Sequence, residues 1–330
     1  MKIAIIGTGA WATALAQVLS DNGHSPLMYG IEASQVEDIN HFHRNGAYFG
    51  PLVIHPSIKA TSDLSLALKE AKVVILCVPS GAMSKVCLTL NEALDHRVTL
   101  VNATKGFTDK NERMSTIIKS SINREKRYPL VSLIGPSHAE EVIQRHLTAI
   151  TATSKSKRRA AIVATIFSNP YFRVYIQKDE VGAEIGVAMK NAIAIASGII
   201  EGLGLGDNAR AALVTRGLSE MTIFGRHFGG KLKTYLGLTG LGDLIVTCYS
   251  FHSRNFKAGL AIGKADDATN FLATNKTTVE GIRAAKTIYE LALKHHIDTP
   301  IVNAVYAVLY EGAQPSIMIN KLMQRPLKEE

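Results

Sequence analysis

Residues 2–23 read KIAIIGTGAWATALAQVLSDNG and contain a short apolar run, a glycine turn and an amphipathic helical pattern. The β-branched run over residues 2–6 predicts a strand, and the pattern after the turn predicts a helix. Gly7 allows the tight turn, Gly9 lets backbone N–H groups approach a pyrophosphate, and Ala12 permits close helix-to-strand packing. Because the match directly follows a strand and opens a helix, it predicts dinucleotide binding. A tight βα turn without a ligand is the alternative.

Strand-like runs alternate with helical segments through the first half of the chain. They fall at residues 27–30, 73–78, 98–102, 130–134, 147–153 and 171–176. This alternation predicts an α/β fold with a Rossmann-like, doubly wound parallel sheet. The strand signals stop after about Asp179, and no Pro/Gly/Ser linker follows. We therefore expect a dinucleotide-binding domain over residues 1–182 and an all-helical substrate and catalytic domain over residues 183–330.

Ligand-binding groups of such a sheet are expected at the carboxyl ends of its strands. Lys105 follows the run at 98–102, in the sequence Ala-Thr-Lys-Gly, and is placed to meet an anionic ligand. An exposed loop lysine without a role fits the same position. Glu32 follows the second strand near the distance at which a Rossmann fold presents an acid to the adenosine ribose, although it also fits a surface glutamate.

Residues 182–224 set a single lysine, Lys190, inside a long apolar helical pattern of small residues. Helical spacing places Lys190, Ser197 and Glu201 on one stripe. The small residues of the same helix row, such as Gly186 and Gly198, let another backbone or a ligand approach closely. A lysine removed from water has its charged form disfavoured, which lowers its pKa and suits a catalytic base. The alternative is a lysine that snorkels to a wet helix end.

The second half of the chain contains two further sets of polar residues. Asp243 and Thr247 are four residues apart and would share one helix face. Ser253, Arg254 and Asn255 open another helix, where free N–H groups and an arginine fork would suit a phosphate. A solvated arginine and an ordinary N-cap aspartate are the alternatives.

The composition is that of an ordinary globular protein, with 46% hydrophobic and 20% charged residues among 330. The net charge is +9, but basic residues are interleaved with acids, and the densest runs, Lys155–Arg159 and Arg124–Arg127, are short. We interpret both runs as solvated helix faces and expect no nucleic-acid partner. A positive field suits an enzyme with anionic ligands.

The remaining signals concern compartment and metals. Cys77, Cys87 and Cys248 show no paired spacing, which indicates reduced thiols. No targeting signal is visible, and the apolar run 192–200 is shorter than the roughly 20 residues that span a bilayer. We therefore expect a cytoplasmic protein without membrane insertion. The histidine pairs 41/43 and 295/296 lack convergent acidic or cysteine partners, so no metal site is expected.

Several longer motifs carry a resemblance that runs from end to end. The chain resembles the NAD(P)-dependent glycerol-3-phosphate dehydrogenases of the bacterial soluble type. The motifs are GTGAWATALA, ATKG, GPSHAEEV, MKNAIAIASGIIEGLGLGDNARAALVTRGLSEM, GLGDLIVTC, SRNFKAG and VEGIRAA.

The resemblance implies roles for named residues. It makes Lys190 the proton acceptor, and Asn191 and Thr247 polar groups that hold the substrate or orient this lysine. The other residues around the substrate would be Lys105, Gly135, Ser137, Asp243, Ser253, Arg254 and Asn255. The cofactor would meet the glycine turn and further residues: Gly7, Gly9, Ala10, Trp11, Lys105, Ala139, Arg254 and Glu280.

The implied reaction is reversible hydride transfer between NAD(P)H and dihydroxyacetone phosphate, giving sn-glycerol 3-phosphate, a glycerophospholipid precursor. Reduction of the ketone needs a proton donor, positive charge near the oxygen and an anchor for the phosphate. Lys190, Lys105 and Arg254 with Asn255 are residues of the right kinds. A homodimer formed through the helical domain is possible, although no exposed stripe in the sequence proves it.

Two other functions stay open at this point. One is a dinucleotide sensor without catalysis, which the set of Lys190, Asp243 and Arg254 argues against. The other is a two-domain dehydrogenase of another small acid, such as a hydroxy acid or ketopantoate, which the SRN and GLGD motifs disfavour. Many members of the family have a basic or polar residue where this chain has Ile31. Ile31 followed by Glu32 therefore favours NAD over NADP.

Overall fold

The computed structural model describes residues 1–108 and 111–326. The chain folds as two compact units, Met1–Glu180 and Val181–Glu330. The eight strands belong to the first unit, and the second unit is built from helices.

The first unit is organised around one eight-stranded sheet with the strand order β3-β2-β1-β4-β5-β6-β7-β8. The order reverses between β1 and β4, which is where ligands bind in open α/β sheets. The strands are β1 Lys2–Ile6, β2 Ser25–Tyr29, β3 Lys59–Thr61, β4 Val73–Leu76, β5 Thr99–Asn102, β6 Val131–Ile134, β7 Thr148–Thr153 and β8 Phe172–Gln177.

Helices cover both faces of this sheet, as the alternation in β1 shows. Ile3 and Ile5 join the core on one face, while Ala4 and Ile6 join the core on the other. Burying one such isoleucine is worth about 1.5–3 kcal/mol. The helices of this unit are α1 Ala10–Asp21, α2 Ala33–Phe42, α3 Gly46–Phe49, α4 Leu64–Leu68, α5 Met83–Ala93, α6 Met114–Ser121, α7 Ala139–Val142 and α8 Lys157–Phe167. The predicted Rossmann-like, doubly wound architecture is confirmed.

The last two strands depart from the parallel arrangement. β7 runs antiparallel to β6, and β8 is parallel to β7. A parallel crossover needs a connection of a dozen or more residues, usually with a full helix. The β6–β7 connection carries only the four-residue helix α7, so the chain turns back on itself.

The glycine turn after β1 has the tight geometry that the sequence predicts. Gly7 has φ of +122°, and a Cβ there would lie 2.4 Å from the carbonyl oxygen of Cys77. A side chain at this position would therefore collide with the backbone that follows β4. Ala12 is fully buried in α1, consistent with the predicted close packing.

The second unit is helical, and its first two helices are separated at Gly204, where φ is +68°. A short π-helical turn, Leu238–Gly242, precedes α12. The helices are α9 Glu180–Gly202, α10 Gly206–His227, α11 Leu232–Tyr235, α12 Asp243–Tyr249, α13 Arg254–Ala265, α14 Thr269–Thr274, α15 Glu280–His295, α16 Pro300–Tyr310 and α17 Pro315–Met323. An all-helical second part is confirmed.

Helix α9 is the buried centre of this unit. By length and composition it is apolar enough to cross a membrane, and 94% of its most apolar window is buried inside the structure. Such burial is typical of the core helix of a globular unit. The apolar stretch is longer than the run 192–200 suggests, because the helix continues through Gly182 and Gly186 with few charges.

The predicted close approach to α9 is made by α13. A Cβ on Gly198 would lie 2.1 Å from the carbonyl oxygen of Phe256, and one on Gly259 would lie 2.0 Å from that of Ile195. The two backbones therefore touch, with no room for a methyl group at either position.

A buried carboxylate ties α10 to α16. Glu220 is 5% exposed and accepts hydrogen bonds from the backbone N–H groups of Ile301 (2.6 Å) and Val302 (3.4 Å) at the start of α16. Burial outweighs these hydrogen bonds and raises the pKa of Glu220 to about 7.

This burial predicts a pH-dependent stability. Below pH about 4.5 Glu220 is neutral in both the folded and the unfolded chain, and between about 4.5 and 7 only the folded chain retains the proton. The folded state is therefore destabilised as the pH rises through this window, by on the order of 3 kcal/mol. Glu220→Gln should remove that part of the pH dependence, measured as the urea midpoint at the two ends of the window. The same change in urea midpoint between these two pH values in both proteins would contradict the raised pKa of Glu220.

Candidate active site

Lys105 and Gly135 lie after the neighbouring strands β5 and β6, at the carboxyl edge of the sheet. The Lys105 Nζ atom donates to the carbonyl oxygen of Gly135 over 3.4 Å, and the Ser137 hydroxyl donates to the same oxygen over 3.0 Å. Gly135 packs closely on β7, because a Cβ there would lie 2.9 Å from the Cα of Ile150. The structure thus brings three of the predicted substrate residues into one cluster.

Four of the predicted cofactor residues lie in or beside the first turn of α1: Gly7, Gly9, Ala10 and Trp11. Gly9 is the N-cap, no side chain caps this helix, and its first turn has no acidic residue. A Cβ on Gly9 would have no atom nearer than the Tyr48 hydroxyl at 4.0 Å, so its surroundings are open. Ala10 and Trp11 begin the helix, and Ala139 lies at the start of α7. An uncapped helix start beside open space fits a pyrophosphate.

The residues that bear on the cofactor's adenosine ribose lie directly after β2. Ile31 is 79% exposed. Glu32 is exposed as well and occupies the N-cap position of α2 without a side-chain capping bond. The Glu32 carboxylate therefore does not cap α2.

Lys190 is deeply buried in the second unit, with 4% of its surface exposed. Its Nζ atom donates to Asp243 Oδ1 and, over 2.9 Å, to Thr247 Oγ1. The Thr247 hydroxyl donates in turn to the backbone carbonyl of Asp243 over 2.6 Å. Asp243 and Thr247 share one face of α12, as predicted, and Lys190 does not snorkel to a wet helix end. A buried ammonium is tolerated here because a carboxylate and a hydroxyl replace its water.

A second set of hydrogen bonds links α9, α13 and α15. Asn255 donates to the side-chain oxygen of Asn191 over 3.0 Å and accepts from the backbone N–H of Gly281 over 2.8 Å. Both amide side chains are thereby fixed. A helix begins here, as the sequence predicts, and Ser253 caps it by accepting from the N–H of Phe256 over 3.1 Å.

Arg254 and Glu280 lie at helix starts of the second unit. Arg254 is the first residue of α13 and is exposed, which leaves its guanidinium accessible to an anion. Glu280 is the first residue of α15 and is half-buried, next to Gly281.

The cysteines offer no nucleophile. Cys77, Cys87 and Cys248 are all free thiols. Burial raises the pKa of Cys77 and of Cys248 to about 12, in the second case against the opposing charge of Lys190. Both thiols therefore stay protonated at neutral pH. Within the described ranges, no three His, Cys, Asp or Glu side chains converge to hold a metal ion.

Gly281 was not among the predicted site residues, although its N–H orients Asn255. A Cβ on Gly281 would lie 2.5 Å from the carbonyl oxygen of Asn191 and 2.8 Å from Asn255 Oδ1. The glycine that follows Glu280 in VEGIRAA was the available signal, since a glycine at the start of a helix often marks close contact.

The fold and these clusters define a class of protein. A Rossmann-like sheet with an open, uncapped helix start, together with a helical unit that buries a paired lysine, is typical of two-part dinucleotide-dependent dehydrogenases. The chain belongs to the NAD-dependent glycerol-3-phosphate dehydrogenase family. Residues 2–160 match the model of that family's N-terminus, and residues 179–320 match the model of its C-terminus.

Individual relatives agree with this membership. The chain is 44% identical to a glycerol-3-phosphate dehydrogenase [NAD(P)+] of Listeria innocua, across all of this chain and 98% of the relative. It is similar to a crystal structure of glycerol-3-phosphate dehydrogenase from Coxiella burnetii, with 33% identity, a TM-score of 0.91 and 98% of each chain covered. A yeast glycerol-3-phosphate dehydrogenase structure is 25% identical with a TM-score of 0.84, covering 98% of this chain and 99% of the other. The predicted family, fold class and class of enzyme are confirmed.

Proposed function

We propose that this chain reversibly reduces dihydroxyacetone phosphate to sn-glycerol 3-phosphate with NAD(P)H, and that Lys190 transfers the proton. The observation that carries the proposal is the buried Lys190–Asp243 pair, held by Thr247 on a helix of the second unit. A cation held in place without water can stabilise a developing alkoxide more strongly than a solvated one.

Each residue has its own role in the proposed reduction of the ketone. The nicotinamide, when bound, supplies the hydride to C2 of the ketone. Lys190 donates a proton to the alkoxide oxygen, and Asp243 and Thr247 hold its ammonium in a fixed direction. By resemblance to the family, Lys105 of the first unit is a further cation for the substrate, and its hydrogen bond to Gly135 limits where its side chain points. Asn191 is fixed by Asn255 and is available to a substrate hydroxyl.

The proposed cofactor residues lie in the first unit and at the starts of two helices of the second unit. Gly7 and Gly9 shape the turn before α1, so that the N–H groups of Ala10 and Trp11 face the pyrophosphate. Ala139, Arg254 and Glu280 complete the set by resemblance to the family. Residues 1–182 would form the dinucleotide-binding domain, and residues 183–330 the substrate and catalytic domain.

The substrate phosphate is assigned to the start of α13. Ser253 and Asn255 are fixed by the capping bond and by Gly281, while Arg254 stays exposed beside them. Arg254→Lys should raise KM for dihydroxyacetone phosphate by about tenfold or more, because a point charge cannot reproduce the bidentate fork. Lys257→Arg, an exposed position one turn further along α13, is the matched control. Unchanged KM and kcat/KM in Arg254→Lys would contradict the assignment.

The cofactor preference is assigned to the residues after β2. The exposed Ile31 offers no donor to a 2′-phosphate, and the Glu32 carboxylate suits the ribose hydroxyls of NAD. We expect NADH to be preferred, and Ile31→Arg to shift kcat/KM towards NADPH. Steady-state rates with dihydroxyacetone phosphate and each cofactor test both the reaction and the preference. An order-of-magnitude preference for NADPH in the unaltered chain would contradict the preference, and turnover of ketopantoate or a hydroxy acid instead would contradict the reaction.

Two further properties complete the proposal. The enzyme would work in the cytoplasm, consistent with its three free thiols. It would have no metal requirement and no nucleic-acid partner, and it would form a homodimer through its helical part. Light scattering of the purified protein distinguishes a dimer from a monomer.

A further inference from the structure

The two short basic runs of the sequence lie together in the first unit. Lys126 and Arg127 precede β6, and Arg158 and Arg159 begin α8, which follows β7. Since β7 runs antiparallel to β6, its end lies beside the start of β6. Arg97, just before β5, joins them because Val98 pairs with Arg127. We call Arg97, Arg124, Lys126, Arg127, Arg158 and Arg159 the basic edge patch.

Side-chain contacts tie the basic edge patch into one cluster. The guanidinium carbon of Arg159 lies 3.4 Å from the ring centroid of Tyr128, and that of Arg97 lies 4.4 Å from the same centroid. Arg97 also donates to the carbonyl oxygen of Arg127 over 3.2 Å, and Arg159 donates to the hydroxyl of Thr99 over 3.3 Å. One aromatic ring is therefore shared by two cations.

Backbone carbonyl groups, rather than carboxylates, accept most of the hydrogen bonds from this cluster. Lys126 donates to the carbonyl oxygen of Asn91, and Arg127 donates to those of Ile122 and Lys119. Within the described ranges, no member of the basic edge patch forms an ion pair. The nearby acid Glu70 is paired with Lys2. Asp95 is paired with His96, and its charge also interacts with that of Lys126. Glu125 is the exposed acid beside Arg124.

Two features indicate that the cluster destabilises the folded chain when no anion is bound to it. Lys157, Arg158 and Arg159 form the first turn of α8, which has no acid, and the helix dipole disfavours cations at that end. Burial and the charge of Arg124 lower the pKa of Arg127. A cluster of cations that repel one another, held in place by neutral groups, is stabilised by an external anion.

The arrangement of the cations favours a flat partner. They come from the starts of β5 and β6 and the segment after β7, three neighbouring strands, and Lys72 continues the row at the start of β4. At about 4.8 Å per strand, this row extends along the sheet edge rather than closing around one small anion. The Tyr128 ring is covered by guanidinium groups and is not free to stack on bases, as binding to single-stranded nucleic acid would require.

We propose that the basic edge patch docks the protein on an anionic phospholipid bilayer. This edge holds the amino ends of β1–β6, so docking there leaves the carboxyl edge with Lys105 and Gly135 uncovered. The choice of partner rests on the proposed function. Glycerol 3-phosphate carries two hydroxyls, and the class of reaction that consumes it for lipid is acyl transfer, whose product partitions into a bilayer. The binding is peripheral and electrostatic, and it needs no inserted segment.

Vesicle co-sedimentation tests the proposal with the full chain. Vesicles of phosphatidylcholine with about one third phosphatidylglycerol should bind the protein at low salt and release it as the salt is raised above about 0.15 M. Vesicles of phosphatidylcholine alone should not bind it. The double variant Arg124→Gln/Arg158→Gln, at two exposed positions, should weaken binding by about tenfold or more.

The matched control removes the same charge elsewhere. Lys294→Gln/Lys321→Gln, at exposed positions of α15 and α17, should bind vesicles like the unaltered protein. Equal weakening in the two double variants would overturn the proposal, as would an absence of binding to the anionic vesicles. Patch-dependent binding of a DNA duplex of about 20 base pairs, with no vesicle binding, would overturn it in favour of a nucleic acid. Unchanged turnover of dihydroxyacetone phosphate in both variants shows that they are folded. Vesicle binding does not require turnover. A failure to bind vesicles would therefore leave the proposed function intact, and a failure to turn over dihydroxyacetone phosphate would leave the docking result intact.

Discussion

Lys190→Ala is expected to lower kcat by about 10²- to 10⁴-fold, the usual cost of losing a general acid. The Lys190 ammonium is buried and donates hydrogen bonds to Asp243 and Thr247, so the variant removes a proton donor that is held in a fixed direction. Cofactor binding should be retained, because the glycine turn and the start of α1 belong to the first unit. The measurement is steady-state kinetics together with a cofactor titration.

This variant also breaks the buried pair between Lys190 and the Asp243 carboxylate, and breaking such a pair typically destabilises a protein by about 3–5 kcal/mol. The double variant Lys190→Met/Asp243→Asn removes both charges and should regain much of that stability, but not turnover. Lys294→Ala, an exposed lysine of α15, is the control and should behave like the unaltered enzyme. If Lys190→Ala kept half of its kcat, the lysine would not be the proton donor.

Lys190 also illustrates how far a sequence can lead. The isolation of one lysine in an apolar helix is visible from spacing alone, and so is the shared face of Asp243 and Thr247. The ion pair joins residues on two different helices, and helical periodicity does not specify which helices pack together. The snorkelling alternative therefore stayed open until the packing of α9 on α12 was known, and only the resemblance to a family linked these residues beforehand.

The sheet gives a similar lesson. Apolar runs and glycine turns predicted seven of the eight strands in the first unit, because most of these runs are buried on both faces of the sheet. The edge strand β3 was missed, since it has only three residues and only Ala60 is buried. The reversal at β7 was not predicted, since an apolar run has no direction. That reversal brings the segment Lys155–Arg159 beside the start of β6. Two runs that looked like separate solvated faces are therefore one patch.

Gly259→Ala is expected to destabilise the second unit by about 3 kcal/mol or more, at the upper end of overpacking costs. The new methyl group would lie 2.0 Å from the carbonyl oxygen of Ile195 and 3.0 Å from the Cα of Gly198. Both are backbone atoms, so a change of side-chain rotamer cannot relieve the overlap, and α13 must move away from α9. Alanine favours a helix over glycine by about 1 kcal/mol, which offsets only a part of this cost.

The effect should extend beyond stability, because α13 begins with Arg254 and Asn255. A shift of this helix would weaken the hydrogen bond between Asn255 and Asn191, so KM for dihydroxyacetone phosphate should rise in the protein that remains folded. Gly237→Ala is the control, since its Cβ would meet atoms no nearer than 3.4 Å and its φ is −102°. Urea unfolding of the two variants compares the positions directly. Equal urea midpoints for the two variants would mean that α9 and α13 can move apart with little loss of stability. The backbone contact between these helices would then not be what fixes the start of α13.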